Sequence, residues 1–265
     1  MKIRELVPVI PIQFSHATGF PAESYSYFFK QLAPHPVSYV PVFGMGRYRL
    51  RNSWRNMVDE LLEDIEIRQK EPVIGIGHSF GAVLTFWAAQ KAPEYFEKII
   101  LIDPPLLSFR VRLFSAMARS IGIADQVIPI ARNAKKRRDE FSSIDEARNF
   151  WKPKRLFRSF HPECFEDYVQ SSLVPDGSDY TLRIPAALES KMFVYSPIRI
   201  GHGKFDMPSY YLYPKKGSVM VGTSFKEQKK RFSGTKFISI EKGGHMFPLE
   251  YPHETAALLK ELIAE

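Results

Sequence analysis

One stretch of the chain limits the fold more than any other: Pro72 to Ala92, PVIGIGHSFGAVLTFWAAQKA. Val73, Ile74, Gly75 and Ile76 form the short apolar run that a parallel strand needs when both of its faces are covered. The run stops at Gly77-His78-Ser79-Phe80-Gly81, and Ala82, Val83, Phe86, Ala89 and Gln90 continue at helical spacing. So tight a turn from strand to helix leaves no room for a side chain at 77 or 81, where a Cβ would collide with the neighbouring strand or helix. It also holds Ser79 at a strained backbone angle. The pentapeptide G-x-S-x-G recurs by chance; the strand before it and the helix after it give it meaning. The Ser79 hydroxyl is expected at the rim of a sheet, near the positive end of the helix dipole, with the Phe80 N–H free to donate to an oxyanion.

Around this unit strand and helix alternate. Val7 to Phe14 reads as a strand interrupted by Pro8 and Pro11, Ala22 to Ala33 as an amphipathic helix, and Val37 to Phe43 as a second strand. Asn52 or Ser53 caps a helix running to about Lys70, and Phe96 to Ile102 is the strand after the elbow, ending in Asp103-Pro104-Pro105. Short links between alternating elements predict an α/β fold: a mostly parallel sheet of about six strands flanked by helices. From Leu106 to about Asp206 the rhythm breaks into helical segments, one of them opened by the capping box Ser143-Ile144-Asp145-Glu146. It then resumes with a strand at Ser209 to Tyr213, a basic helix at Ser224 to Phe232, a strand at Lys236 to Glu241 and a helix at His253 to Ala264. The expected organisation is a core of residues 1–105 and 206–265 with an inserted all-helical cap, or lid, at 106–205.

At 265 residues and 45% hydrophobic, the chain can build one large core with a small accessory unit. Its single cysteine, Cys164, cannot form an internal disulfide, and the fold does not depend on oxidation. Glu5 and two prolines break up the N-terminal segment, and no run reaches 18 apolar residues. The expectation is a cytoplasmic protein with no integral membrane segment. The formal charge of +8 is uneven: residues 104–205 hold 17 Lys and Arg against 11 Asp and Glu. Lys135-Lys136-Arg137-Arg138 and Lys152-Pro153-Lys154-Arg155 read as a solvated basic face, with attraction of an anionic substrate or weak contact with a phospholipid surface left open. A nucleic-acid partner is not expected, since no recognised module accompanies the charge. Neither metal-ligand spacing nor a dinucleotide fingerprint occurs, so no metal and no cofactor is called for.

A serine nucleophile needs a base held by a third group. The best base is His245 in Gly243-Gly244-His245, directly after the last strand, where two glycines let the loop bend back toward the elbow. Parallel sheets place reacting groups at the carboxyl ends of their strands. Asp103 lies just past Ile102, whereas Asp206 precedes its strand, Glu241 is too near His245 in sequence, Glu227 sits within a helix, and Pro214 to Val219 contains no carboxylate. Asp103 therefore stands as the acid by elimination, against a purely structural role capping the Pro-Pro turn. A second oxyanion donor should come from the loop after the first strand, His16 to Phe20, with Thr18 first and Phe20 as the alternative. His16 and His78 read as loop packing and hydrogen bonding, and Cys164 as a small hydrophobe.

The H-x-x-G-F-P loop at His16 to Pro21, the G-H-S-F-G elbow, the Asp103-Pro104 turn, the helical insertion and the final Gly-Gly-His together resemble the α/β-hydrolase superfamily, in its subgroup of lid-bearing serine hydrolases of lipase or esterase type. The resemblance spans nearly the whole chain and preserves the family order of serine, acid, histidine. Many members carry the acid after the penultimate strand; a minority place it where Asp103 stands, and a Ser–His dyad without an acid stays open. Ser79 excludes the aspartate-nucleophile chemistry of related epoxide hydrolases and haloalkane dehalogenases. The resemblance implies a serine hydrolase cleaving a carboxylic ester or related acyl bond of a small, apolar substrate. The alternatives are carbon–carbon bond or thioester hydrolysis on the same triad, or a non-catalytic ligand-binding member of the fold. Phe109, Phe114, Met117, Phe150, Trp151, Phe157, Phe160 and Phe165 are candidates either to line an acyl pocket or to pack the cap.

Overall fold

The computed structural model describes residues 9–197, 200–219 and 225–265. Val7 and Pro8, read as the opening of the first strand, and Ser224, read as the start of the basic helix, lie outside the described residues. In chain order the first half comprises β1 (Ile12–Ser15), α1 (Ser26–Lys30), β2 (Val37–Tyr39), α2 (Arg55–Arg68), β3 (Val73–His78), α3 (Phe80–Lys91) and β4 (Phe96–Ile102). Next come α4 (Phe109–Ser120), α5 (Ala124–Val127), α6 (Pro129–Lys135), β5 (Glu140–Phe141), α7 (Ile144–Trp151), α8 (Pro162–Ser171), β6 (Leu173–Asp176), β7 (Asp179–Leu182), α9 (Ala186–Val194) and β8 (Gly203–Lys204). The chain closes with β9 (Ser209–Pro214), α10 (Phe225–Arg231), β10 (Phe232–Ser233), β11 (Lys236–Ile240), α11 (Phe247–Glu250) and α12 (Pro252–Ala264).

Six strands form one parallel sheet in the order β2-β1-β3-β4-β9-β11. Alternation along each strand divides its side chains between two cores. Ile12, Phe14, Ile74, Ile76, Ile100, Ile102, Tyr210 and Leu212 face α1 and α12. Val73, Ile99, Leu101 and Tyr211 face α2 and α3. Lys98 looks misplaced within buried β4, but its Nζ donates to the carbonyls of Leu262 (2.6 Å) and Ile263 (2.8 Å) at the C-terminal end of α12. A cation on orphan helix carbonyls satisfies both groups. The chain steps from β1 outward to β2 and then returns to β3 on the other side of β1, so the strand order reverses between β1 and β3. In an open parallel sheet the crevice beyond the carboxyl ends at such a point is where ligands bind.

β4 and β9 are direct neighbours in the sheet, so everything between them is inserted. The insertion is not all-helical as the sequence suggested. It contains an antiparallel sheet in the order β5-β7-β6, and β8 pairs with β10. The signal for β6 and β7 is a two-residue hairpin loop, Gly177-Ser178, with Gly177 at φ +61°, the left-handed geometry such loops need. The insertion is tied to the core at several points: Ser24 and Ser171 share a hydroxyl hydrogen bond of 2.8 Å. The Trp54 and Trp87 indoles donate to the carbonyls of Met192 (3.0 Å) and Ile200 (2.7 Å). Trp151, Phe157 and Phe160 join the α1-side core, with Phe150 and Phe165 packed against it, while Phe109, Phe114 and Met117 are exposed. Among the described residues no helix is long and apolar enough to cross a membrane.

Candidate active site

The site is assembled along the carboxyl edge of the sheet. β3 runs into α3 through Ser79, whose backbone sits at φ 56°, ψ −116°. Glycine is obligatory on either side of it. A Cβ on Gly77 would lie 2.4 Å from the Gly81 carbonyl oxygen, and one on Gly81 would lie 2.0 Å from the Ser15 oxygen at the end of β1. The collisions expected from the pentapeptide are therefore real, one with the helix and one with the neighbouring strand. Asp103, directly after β4, has φ 40°. Among the described residues Ser79 and Asp103 are the two non-glycine positions in left-handed backbone. Each still donates its own N–H to the next strand of the sheet, Ser79 to Ile102 and Asp103 to Leu212, both at 2.8 Å. Those bonds help hold the strain, which for a non-glycine residue costs about 1–3 kcal/mol.

His245 Nδ1 donates to Asp103 Oδ2 at 2.7 Å. Asp103 is fully buried and takes two further donors, the Ser218 hydroxyl on Oδ1 at 2.5 Å and the Val219 N–H on Oδ2 at 3.2 Å. The loop after β9, where the sequence has no acid, instead contributes donors to the acid of the neighbouring strand. Glu241 turns away into an ion pair with Lys215 at 2.5 Å. Ser79 and His245 face one cavity of about 820 Å³. The Ser79 hydroxyl forms no hydrogen bond with a described residue and is open to that space. Unliganded sites often close such a contact only when substrate binds.

Thr18 and Phe80 also line the cavity, and among the described residues neither backbone N–H has an acceptor. Phe80 opens α3, where first-turn N–H groups lack intrahelical partners. The alternative donor, the Phe20 N–H, is occupied by the Ala17 carbonyl at 3.2 Å.

Two buried histidines position this edge. His16 Nε2 accepts the Phe43 N–H at 3.1 Å, so its proton is on Nδ1, which donates to the Ala17 carbonyl at 2.8 Å. Burial lowers its pKa to about 4. His78 Nε2 lies 2.9 Å from the His245 carbonyl oxygen, which can only accept, so Nδ1 must accept from the Tyr25 hydroxyl at 2.8 Å. Tyr25 in turn accepts the Ala17 N–H at 3.4 Å. One directional relay thus joins the loop after β1 to the loop that carries His245. Burial, then the neighbouring His245, push the His78 pKa well below its ordinary value, which keeps the relay neutral.

The cavity wall is largely apolar, with Leu107, Val111, Ile128, Ile130, Leu156, Phe193 and Met246 from the insertion and the His245 loop. Arg137 and Glu189 form an ion pair in that wall, and Arg137 also donates to the Tyr168 hydroxyl at 3.0 Å. Burial works against the guanidinium charge, but Tyr168 and Glu189 outweigh it and hold its pKa above the ordinary value. The sequence placed Arg137 in a solvated basic run. Arg137 lies two residues past the end of α6, so no helical spacing in the sequence marks it as facing inward. Among the described residues no group of three His, Cys, Asp or Glu side chains could hold a metal ion.

A parallel sheet with its order reversed between β1 and β3, and a strained serine elbow at that point, define the α/β-hydrolase architecture. The chain belongs to the alpha/beta hydrolase family, whose sequence model matches residues 14–258. No curated protein matches it significantly in sequence. Similar solved structures include an E-2-(acetamidomethylene)succinate hydrolase, 14% identical over 97% of this chain and 91% of that one, TM-score 0.73. A thioesterase domain from the curacin biosynthetic pathway is 15% identical over 95% and 91%, TM-score 0.66. A marine microorganism esterase is 18% identical over 96% and 95%, TM-score 0.65. At these identities the likeness is one of fold.

Proposed function

We propose that the protein is a serine hydrolase that cleaves a carboxylic ester, or a related acyl bond, through an acyl-enzyme. Ser79 attacks the carbonyl carbon; His245 takes its proton through Nε2 and returns it to the leaving group. Asp103 keeps the proton of neutral His245 on Nδ1 and stabilises the imidazolium that forms. The Phe80 and Thr18 N–H groups receive the oxyanion, and water attacking through the same base releases the acid. Residues 106–205 act as the cap that encloses the acyl group. The observation that carries this reading is Ser79, held at φ 56° against an apolar cavity that it shares with His245, whose Nδ1 is fixed by a buried carboxylate.

The apolar wall favours a small apolar acyl chain. A thioester is the second reading, because a thioesterase domain has a similar fold and the same triad chemistry serves both bonds. The test is labelling by a fluorophosphonate probe together with turnover of matched p-nitrophenyl esters and acyl thioesters. Ser79→Ala is expected to fold and to lose both labelling and turnover. Retained turnover, or labelling at another residue, overturns the assignment.

A further inference from the structure

Helix α4 is amphipathic in an inverted sense. Val111, Ser115 and Arg119, spaced four residues apart, line the cavity, so this face belongs to the site. Phe109, Leu113, Phe114 and Met117, with Ile121 just past the helix, share the opposite side and are 50–68% exposed. Four large apolar groups on one side of a 12-residue helix, with a fifth just past its end, form a patch of the kind that marks a docking surface. None of the five lines the cavity, so substrate contact does not account for them. Ile130 and Leu156 are likewise exposed and form part of the cavity wall, and the cavity lies on the face of α4 opposite the patch.

The charge of this part of the chain selects its occupant. Residues 104–158 contain thirteen Lys and Arg against five Asp and Glu, so the whole formal charge of +8 lies in this stretch and the rest of the chain balances to zero. Several of these cations are engaged: Lys135, Arg137, Arg138 and Arg148 have carboxylate partners. Arg110, Arg132, Lys136, Lys152, Lys154 and Arg155 are exposed and have no ion-pair partner among the described residues. Arg110 stands within the apolar face, and Arg155 adjoins the rim residue Leu156. An exposed apolar helix face that carries Arg110, in a stretch of chain rich in exposed cations without carboxylate partners, has the composition of a helix that lies in an anionic lipid interface.

We infer that α4 docks the protein on an anionic phospholipid surface, burying Phe109, Leu113, Phe114, Met117 and Ile121 among the lipids. Docking is independent of the hydrolase reading; only delivery of a lipid-borne substrate to Ser79 rests on it. The test is flotation of the full chain with phosphatidylcholine vesicles, with and without phosphatidylserine, beside the triple variant Phe109→Ser, Phe114→Ser, Met117→Ser. The wild type is expected to float with the phosphatidylserine vesicles and to be released by high salt. The triple variant should lose at least about tenfold in binding while keeping its circular dichroism spectrum and its turnover of a short soluble ester.

Equal binding by variant and wild type overturns the proposal, as does failure of the wild type to bind. So does a dimer in analytical ultracentrifugation that the triple variant dissolves, which makes the patch a contact between copies. Vesicle binding by a wild type that hydrolyses no ester leaves the docking intact and removes the hydrolase reading instead.

Discussion

Replacing Asp103 by asparagine separates the charge of the acid from its geometry. Two donors, the His245 Nδ1–H and the Val219 N–H, converge on Oδ2, while among the described residues Oδ1 receives only the Ser218 hydroxyl, which can rotate to accept. An asparagine amide therefore places its oxygen at Oδ2 and its NH2 toward Ser218. The alternative orientation sets an N–H against the Val219 N–H. Asparagine also tolerates the left-handed φ of 40° at this position. His245 keeps its proton on Nδ1 and Nε2 stays free for Ser79, so the loss is confined to the negative charge beside the imidazolium. Hydrogen bonds to charged groups contribute about 1.5–3 kcal/mol against about 1 for neutral ones. Asp103 is fully buried and His245 partly so, which favours the upper end of that difference: a loss of about 2 kcal/mol in the transition state lowers kcat about 30-fold with KM nearly unchanged. A wrong tautomer costs about 10⁴-fold by comparison. The assay is the initial rate on a short p-nitrophenyl ester, with fluorophosphonate labelling and circular dichroism as controls. A rate within threefold of wild type uncouples Asp103 from catalysis. A loss of 10⁴-fold in a folded, labelled protein refutes the orientation assigned to the amide.

Further expectations concern the scaffold. Gly81→Ala drives a Cβ to within 2.0 Å of the Ser15 carbonyl oxygen, backbone against backbone, and should prevent accumulation of folded protein, as judged by soluble yield and thermal melting. Tyr25→Phe removes the link between the Ala17 N–H and His78 Nδ1. It should cost about 1–3 kcal/mol in chemical denaturation and lower kcat more than it raises KM; an unchanged kcat rules out a positioning role for the relay. His16 has a folded pKa of about 4 against 6.5 unfolded, so the native state binds fewer protons between those values. Its contribution to stability is present above pH 6.5 and is lost, by about 3 kcal/mol, as pH falls to 4. Glu60, raised to about 7 chiefly by burial, acts in the opposite direction over pH 4.5 to 7. Denaturation midpoints in a Glu60→Gln background should therefore fall from pH 7 to pH 4.5, and a flat profile there contradicts a buried neutral His16.

The elements legible in the chain before it folds are those set by sterics between near neighbours. A strand that becomes a helix through Gly77-His78-Ser79-Phe80-Gly81 has little freedom, and the close approaches at positions 77 and 81 are the ones its glycines foretold. Asp103 could be singled out because parallel strands end on one edge, so a carboxylate one residue past Ile102 had to emerge beside the elbow. What local pattern could not supply depends on residues far apart in the chain. Ser218 and Val219 reach Asp103 across more than a hundred residues. Arg137, read as part of a solvated run, turns inward only because α9 brings Glu189 to meet it. Helical spacing likewise marks an apolar stripe on α4 but carries no information about which side the rest of the protein covers. Periodicity records how side chains alternate around one axis; which face meets the core, and which is left to solvent, is decided only when the other elements have packed against it.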